Sequence, residues 1–159
     1  MSNLEQEVGS LLRQKKLTLG AVESATGGLI SHLITNVPGS SDYFQGGITA
    51  YSNEIKMKMA GVSQAALAKH GAVSHQLAEE MARGGRAALA VDICLADTGI
   101  AGPGGATPGK PSGLFYLGLS HEDGTESQKH IFSGNREQNK RDAAATALNW
   151  LKEYLLSLK

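Results

Sequence analysis

Cysteine, aromatic residues and net charge are all scarce in this chain of 159 residues. Its single cysteine, Cys94, cannot form a disulfide within the chain, so we expect a reducing, cytoplasmic location. The 15 basic and 15 acidic residues balance, which disfavours nucleic acid as the main partner, because nucleic-acid binders usually carry a basic excess. No apolar run approaches the roughly 20 residues needed to span a bilayer, so we expect no membrane partner.

Glycine, in contrast, is abundant, with 20 residues. Many glycines indicate tight turns or close approaches of the backbone to a ligand. The length suits one domain, 1–159, with a single core. Cys94 lies in the apolar run 91–96, where we expect it to be a buried small hydrophobic residue.

Helical and strand-like segments alternate along most of the chain. Segments with helical spacing of apolar residues separate strand-like segments, which is typical of a three-layer α/β/α fold with a mostly parallel central sheet. The last two strands are adjacent, so they add an antiparallel element. The final helix is predicted to start at Asn135, with Gln138 completing a capping box. The predicted strands are 17–22, 43–51, 91–96, 114–119 and 128–132.

Two glycine-containing loops, 23–28 and 98–105, follow predicted strands. Ligands of open α/β sheets bind outside the carboxyl ends of strands. Backbone N–H groups at the start of the helix after the first loop favour an anion such as phosphate, and Ser24 and Thr26 could add hydroxyl donors. Each loop alone is explained as a turn, but two at one sheet edge favour a ligand site. Three glycines of these loops are candidates for close approach to a ligand: Gly27, Gly99 and Gly102.

A serine, a tyrosine and a lysine are candidates for catalysis: Ser41, Tyr51 and Lys56. A serine hydroxyl needs a base, and no histidine is placed obviously for that task. Lys56 lies in the predicted first turn of a helix, where the dipole and any burial would lower its pKa, and Tyr51 could relay the proton. Spacing alone still favours a solvated lysine and a serine that caps a turn.

The same three residue types also occur in short-chain dehydrogenases. Four residues separate Tyr51 from Lys56 here, one more than in that family. The chain also lacks their N-terminal glycine fingerprint, so we set this alternative aside.

Two arginines near the start of the last helix, Arg136 and Arg141, are candidates for binding a phosphate through paired hydrogen bonds. Both are equally typical of surface charges. No histidine–carboxylate or cysteine cluster has metal-ligand spacing, so we predict neither a catalytic metal nor a cofactor.

In this order and spacing, the motifs of the chain resemble the CinA C-terminal domain family over roughly residues 4–155. The motifs are ESATGG at 23–28, PGSS at 38–41, YSNEIK at 51–56, HGAVS at 70–74, TGIAGPGG at 98–105 and KPSG at 110–113.

The resemblance implies an amidase that converts nicotinamide mononucleotide to nicotinic acid mononucleotide and ammonia, with a serine nucleophile and no metal. It places the catalytic roles on Ser41, Tyr51 and Lys56, and it places Ser24, Thr98 and Arg141 at the substrate site. It also implies self-association, and we expect a homodimer of a stand-alone domain. The alternatives are a domain that binds nicotinamide nucleotides without turnover and a competence-related interaction module.

Overall fold

The computed structural model describes residues 3–159, which form a five-stranded sheet with helices on both faces. The strands are β1 (Leu19–Glu23), β2 (Phe44–Thr49), β3 (Ile93–Gly99), β4 (Leu114–His121) and β5 (Gly124–Ile131). The helices are α1 (Leu4–Lys15), α2 (Leu29–Thr35), α3 (Asn53–Ala60), α4 (Gln64–His70), α5 (His75–Leu89) and α6 (Arg136–Ser157).

The strand order in the sheet is β2-β1-β3-β4-β5. Strands β2, β1 and β3 pair in parallel, whereas β4 pairs antiparallel with both β3 and β5. Crossover helices connect the parallel strands, and a two-residue turn connects β4 to β5, where His121 pairs with Gly124. The predicted α/β/α fold with an antiparallel element is therefore confirmed.

Side chains of the central strands alternate between two apolar clusters. Ala21 and Leu95 belong to the cluster beneath α1, α2 and α6. Val22 and Cys94 belong to the cluster beneath α3, α4 and α5, and Cys94 is fully buried, as expected. Because successive strand residues point to opposite faces, neighbouring residues at the end of β1, and likewise at the end of β3, face different helix layers.

Two helices that begin near the carboxyl edge of the sheet, α3 and α6, start at side-chain caps. Ser52 accepts a hydrogen bond from the backbone N–H of Ile55 at the start of α3. Asn135 and Gln138 form the predicted capping box at the start of α6. These caps satisfy N–H groups that have no partner within the helix, and they fix where each helix begins.

Helix α3 is held close to α5 at Gly84. A Cβ atom at this position would lie 1.6 Å from the carbonyl oxygen of Ala60, the last residue of α3. Only a glycine permits this approach of two backbones. The contact fixes α3 beside the carboxyl edge of the sheet, where the candidate site lies.

Two strands differ in extent from their prediction. Strand β3 continues to Gly99, so Asp97 and Thr98 are strand residues rather than loop residues. Strand β5 begins at Gly124 because its polar first half completes the ladder with β4 despite its hydrophilic sequence. Within residues 3–159, no helix combines the length and the apolar character needed to cross a membrane.

Candidate active site

A cavity of about 250 Å³ opens at the carboxyl edge of the sheet, where the segments that follow β1, β2 and β3 meet. This is the edge at which open α/β sheets bind ligands. The start of α6 closes one side. The lining residues come from five segments: Ser24 and Ala25; Tyr51, Asn53 and Lys56; Ala72 and Val73; Thr98, Gly99, Ile100, Ala101, Gly104 and Gly105; and Arg136.

The side chains of Lys56 and Ser24 meet in this cavity. Lys56 is only 2% exposed, and its Nζ lies 2.9 Å from Ser24 Oγ and 2.9 Å from the carbonyl oxygen of Tyr51. Among the described residues, no carboxylate approaches this nitrogen closely enough for an ion pair. A buried lysine that contacts a serine hydroxyl is suited to accept the hydroxyl proton.

Burial lowers the pKa of Lys56 from its ordinary value, because desolvation disfavours the ammonium ion. The negative charge of Asp97 acts in the opposite direction and raises it. Desolvation is the larger effect, so the neutral amine is easier to reach than it is in a solvated lysine. The prediction of a lysine with a lowered pKa agrees with this environment.

Asp97, at the end of β3, holds the loop that carries Ser24. Its Oδ1 accepts a hydrogen bond from the backbone N–H of Ser24 at 3.0 Å, and its Oδ2 accepts one from the N–H of Thr26 at 3.1 Å. Burial raises the pKa of Asp97 to about 6, although hydrogen bonds from Thr26 and Ser24 lower it. Sequence reasoning missed this residue, and the available signal was an acidic residue at the end of an apolar strand.

Glu23, the last residue of β1, is the second buried acid that sequence reasoning missed. Its carboxylate accepts hydrogen bonds from the backbone N–H groups of Ile30 and Ser31, at 2.8 and 2.9 Å. The hydroxyl of Ser31 donates a third at 2.8 Å. Glu23 therefore ties the first turn of α2 to β1 and closes the 23–28 loop.

Ser41 does not lie with Tyr51 and Lys56, so its prediction as the nucleophile needs correction. It is an exposed residue of a 3-10 turn, Ser40–Asp42, that precedes β2, whereas Lys56 follows β2. The two residues are therefore at opposite ends of that strand. The serine that contacts Lys56 is Ser24, which had been predicted only to bind substrate.

The Thr26 hydroxyl does not offer a free donor to a phosphate, contrary to prediction, and the N–H of Gly27 is used within the loop. The Thr26 hydroxyl is buried between the carboxyl groups of Glu23 and Asp97. The N–H of Gly27 donates to the carbonyl oxygen of Ser24 at 3.1 Å. Both groups shape the loop from within, because their hydrogen-bonding capacity is used inside the protein.

Residues of the 98–105 segment have different positions around the cavity. Thr98 and Gly99 line it, and the Thr98 hydroxyl donates to the carbonyl oxygen of Ala72 at 2.6 Å. Gly102 supports the wall indirectly, since its carbonyl oxygen accepts a hydrogen bond from Arg136 Nη1 at 2.9 Å.

The two arginines near the start of α6 occupy different sites. Arg136 lines the cavity, and its Nη2 lies 3.4 Å from the hydroxyl of Tyr51, whose ring is 62% exposed at the mouth. Arg141 lies in a neighbouring groove and pairs with Glu137 at 3.4 Å. The structure thus brings Arg136, and not Arg141, to the side chains of Ser24 and Lys56. The Tyr51 hydroxyl is placed beside Arg136, while its carbonyl group contacts Lys56.

Comparisons with known proteins identify the family of the chain. The family model for the CinA C-terminal domain matches residues 1–155. A competence-damage inducible protein of Moorella thermoacetica is 49% identical over 145 residues, which cover 91% of this chain and 35% of that protein. A CinA-like protein of Thermotoga neapolitana is 44% identical over 152 residues, covering 96% of this chain and 37% of that protein. The chain thus spans little more than a third of these curated relatives.

Solved structures share the fold over nearly the whole chain. The competence damage-inducible protein A of Klebsiella pneumoniae superposes with a TM-score of 0.95 at 30% identity, covering 98% of this chain and 97% of that one. A competence/damage inducible protein of Agrobacterium tumefaciens superposes with a TM-score of 0.89 at 31% identity, covering 99% and 98%. The chain belongs to the CinA C-terminal domain family.

Proposed function

We propose that this protein hydrolyses the carboxamide of nicotinamide mononucleotide to nicotinic acid mononucleotide and ammonia, with Ser24 as nucleophile and Lys56 as general base. The observation that carries the proposal is the 2.9 Å contact between Lys56 Nζ and Ser24 Oγ in a cavity. A serine–lysine pair of this kind supports acyl transfer without a histidine.

In the first step, the neutral amine of Lys56 accepts the proton of Ser24 while Oγ attacks the amide carbon. The carbonyl oxygen of Tyr51, 2.9 Å from Nζ, holds the amine beside Ser24. Lys56 then returns the proton to the nitrogen of the tetrahedral intermediate, and ammonia leaves. Water hydrolyses the resulting ester, with Lys56 again accepting a proton and Ser24 recovering its own.

The negative oxygen of the tetrahedral intermediate needs hydrogen-bond donors. The backbone N–H of Ala25 has no acceptor within residues 3–159, and Ala25 lines the cavity directly after the nucleophile. An N–H group in that position serves as the oxyanion donor in other serine hydrolases. Losing one such donor typically lowers kcat by about 10²–10³-fold.

The choice of a nicotinamide nucleotide rests on the resemblance to the family and on the polar and aromatic groups around the cavity. The exposed ring of Tyr51 offers a surface for a pyridine ring, and Arg136 offers a guanidinium beside it for the ribose phosphate. Binding of the distant phosphate would orient the amide for attack by Ser24.

Replacing Arg136 by glutamine should raise KM for the nucleotide about 10-fold or more with a smaller effect on kcat, because the change removes one charge-assisted contact. Steady-state kinetics of ammonia release measures both constants. Arg141→Gln is the matched control, since Arg141 is on the same helix outside the cavity. A larger KM effect in Arg141→Gln would place the phosphate in the neighbouring groove instead.

The function itself is tested by incubating the purified chain with nicotinamide mononucleotide and measuring ammonia and nicotinic acid mononucleotide. Multiple turnovers per protein molecule are expected. Binding of the nucleotide without turnover would instead support a binding domain, and neither binding nor turnover would reject this substrate.

A further inference from the structure

The hydroxyl of Thr26 lies between two buried carboxyl groups. Its Oγ1 is 2.7 Å from Oε1 of Glu23 and 2.5 Å from Oδ1 of Asp97. Thr26 is 1% exposed, Glu23 is 1% exposed and Asp97 is fully buried. Both oxygen–oxygen distances are those of hydrogen bonds.

The number of protons at this bridge can be counted. A threonine hydroxyl has one hydrogen, so it can donate to only one of the two carboxyl groups. The other contact needs a hydrogen of its own. If both acids were ionised, the Thr26 oxygen and the carboxylate oxygen of that contact would lie at hydrogen-bond distance with only lone pairs between them. One of the two acids must therefore be protonated.

The remaining hydrogen bonds show which acid holds the proton. Glu23 accepts from two backbone N–H groups in the first turn of α2 and from the Ser31 hydroxyl, a set that stabilises a negative charge. Asp97 accepts only two N–H groups besides its contact with Thr26. Desolvation raises the pKa of Asp97, as does the negative charge of Glu23.

We propose that Asp97 is a protonated carboxylic acid that donates to Thr26, that Thr26 donates to ionised Glu23, and that Asp97 thereby acts as a positioning residue for Ser24. In this arrangement Asp97 Oδ1 keeps a lone pair for the N–H of Ser24, and Oδ2 accepts from the N–H of Thr26. The loop thus retains all of its hydrogen bonds. The role toward Ser24 rests on the proposed function, whereas the position of the proton does not.

The charged groups around Asp97 come from three elements. Glu23 faces it from β1, Lys56 faces it from α3, and α6 brings Lys140 over the loop, with its Nζ 3.4 Å from where a Cβ of Gly27 would be. While Asp97 keeps its proton, its carboxyl group places no negative charge near Lys56. The influence that would hold Lys56 as an ammonium ion is then absent, and desolvation acts on the lysine unopposed.

The position of the proton is measured by carbon NMR of the wild-type protein without substrate. Through-bond correlations assign the side-chain carboxyl carbons of Asp97 and Glu23, and their chemical shifts are followed across about pH 3–8, which brackets ordinary carboxyl and histidine pKa values. Asp92 is an internal reference, because its carboxylate also accepts from the N–H and the hydroxyl of one threonine, Thr18, without a second acid at that hydroxyl.

We expect the Asp97 carbon to keep the shift of a carboxylic acid to a pH above about 6, because the donation from Thr26 that lowers the pKa of Asp97 is absent when Thr26 donates to Glu23. The Glu23 carbon should have the carboxylate shift while Asp97 is protonated. A carboxylate shift for Asp97 across the whole range, or a protonated Glu23 beside an ionised Asp97, would overturn the proposal. Neither result depends on ammonia release, so a failure here is distinct from a failure of the amidase proposal.

A variant links the proton to catalysis. Asp97→Asn supplies one hydrogen-bond acceptor fewer to the loop backbone, so kcat should fall. The asparagine side chain is uncharged at every pH, as protonated Asp97 is, so the acid limb of the kcat/KM profile should stay at its wild-type pH. An acid limb moved to lower pH would show that a carboxylate at position 97 had been keeping Lys56 charged. That outcome would contradict a protonated Asp97 in the active state.

Discussion

The Ser24→Ala variant is expected to lose at least about 10⁴-fold in kcat for ammonia release, because the change removes the nucleophile of the proposed reaction. Binding of nicotinamide mononucleotide should be retained, since the hydroxyl of Ser24 contributes little to the contacts proposed for the ring and the phosphate. Single-turnover kinetics and calorimetric titration measure the two effects separately.

Ser41→Ala is the matched control for this loss. Ser41 is an exposed residue at the other end of β2, so its variant should have wild-type kcat and KM. The reverse result, an active Ser24→Ala protein and an inactive Ser41→Ala protein, would mean that the contact between Lys56 and Ser24 is not the catalytic pair.

The Lys56→Met variant is expected to lose about 10²–10⁴-fold in kcat, the usual contribution of a general base. Methionine has a similar length and fills the same buried volume without a charge. Because it removes the cost of desolvating an amine, the thermal unfolding midpoint should be unchanged or higher. A loss of activity with a retained melting temperature separates a chemical role of Lys56 from a structural one.

Lys58→Met provides the corresponding control on the same helix. Lys58 is exposed one half-turn from Lys56, so its variant should change neither kcat nor the melting temperature appreciably. Full activity in Lys56→Met would rule out the lysine as the base and would leave Ser24 without an activating group among the residues around it.

Local signals in the sequence were sufficient for most elements of the fold. The capping box at Asn135 and Gln138 marked the start of α6, as observed. Such signals depend on residues within one or two turns of each other. The ends of β3 and β5 were wrong, because strand length depends on a partner strand that is distant in sequence.

The choice between Ser24 and Ser41 could not be made from spacing. Both serines precede Lys56, and Ser41 is nearer to it in the chain. A six-residue strand, however, separates its two ends by roughly 16 Å, so a residue before β2 cannot reach one that follows it. Ser24 follows β1, which is parallel to β2, so it lies at the same edge of the sheet as Lys56.

The buried acids were missed for a related reason. The groups that bind Glu23 lie in α2 and those that bind Asp97 lie in the loop after β1, more than 70 residues away in the latter case. Burial of a carboxyl group in an apolar segment is unfavourable unless hydrogen-bond donors reach it. Only the tertiary structure supplies them.

Adjacent residues at the end of β1 point to opposite faces of the sheet: Ser24 reaches α3, and Glu23 reaches α2. The position of Ser24 on the α3 face of the sheet therefore depends on a polar network that is packed under the helices of the opposite face. Substitutions in the layer of α2 and α6 that repack the surroundings of Asp97 can change turnover while every cavity-lining residue stays the same. Under the proposed function, this distant layer is where activity could be adjusted without altering which molecule the cavity binds.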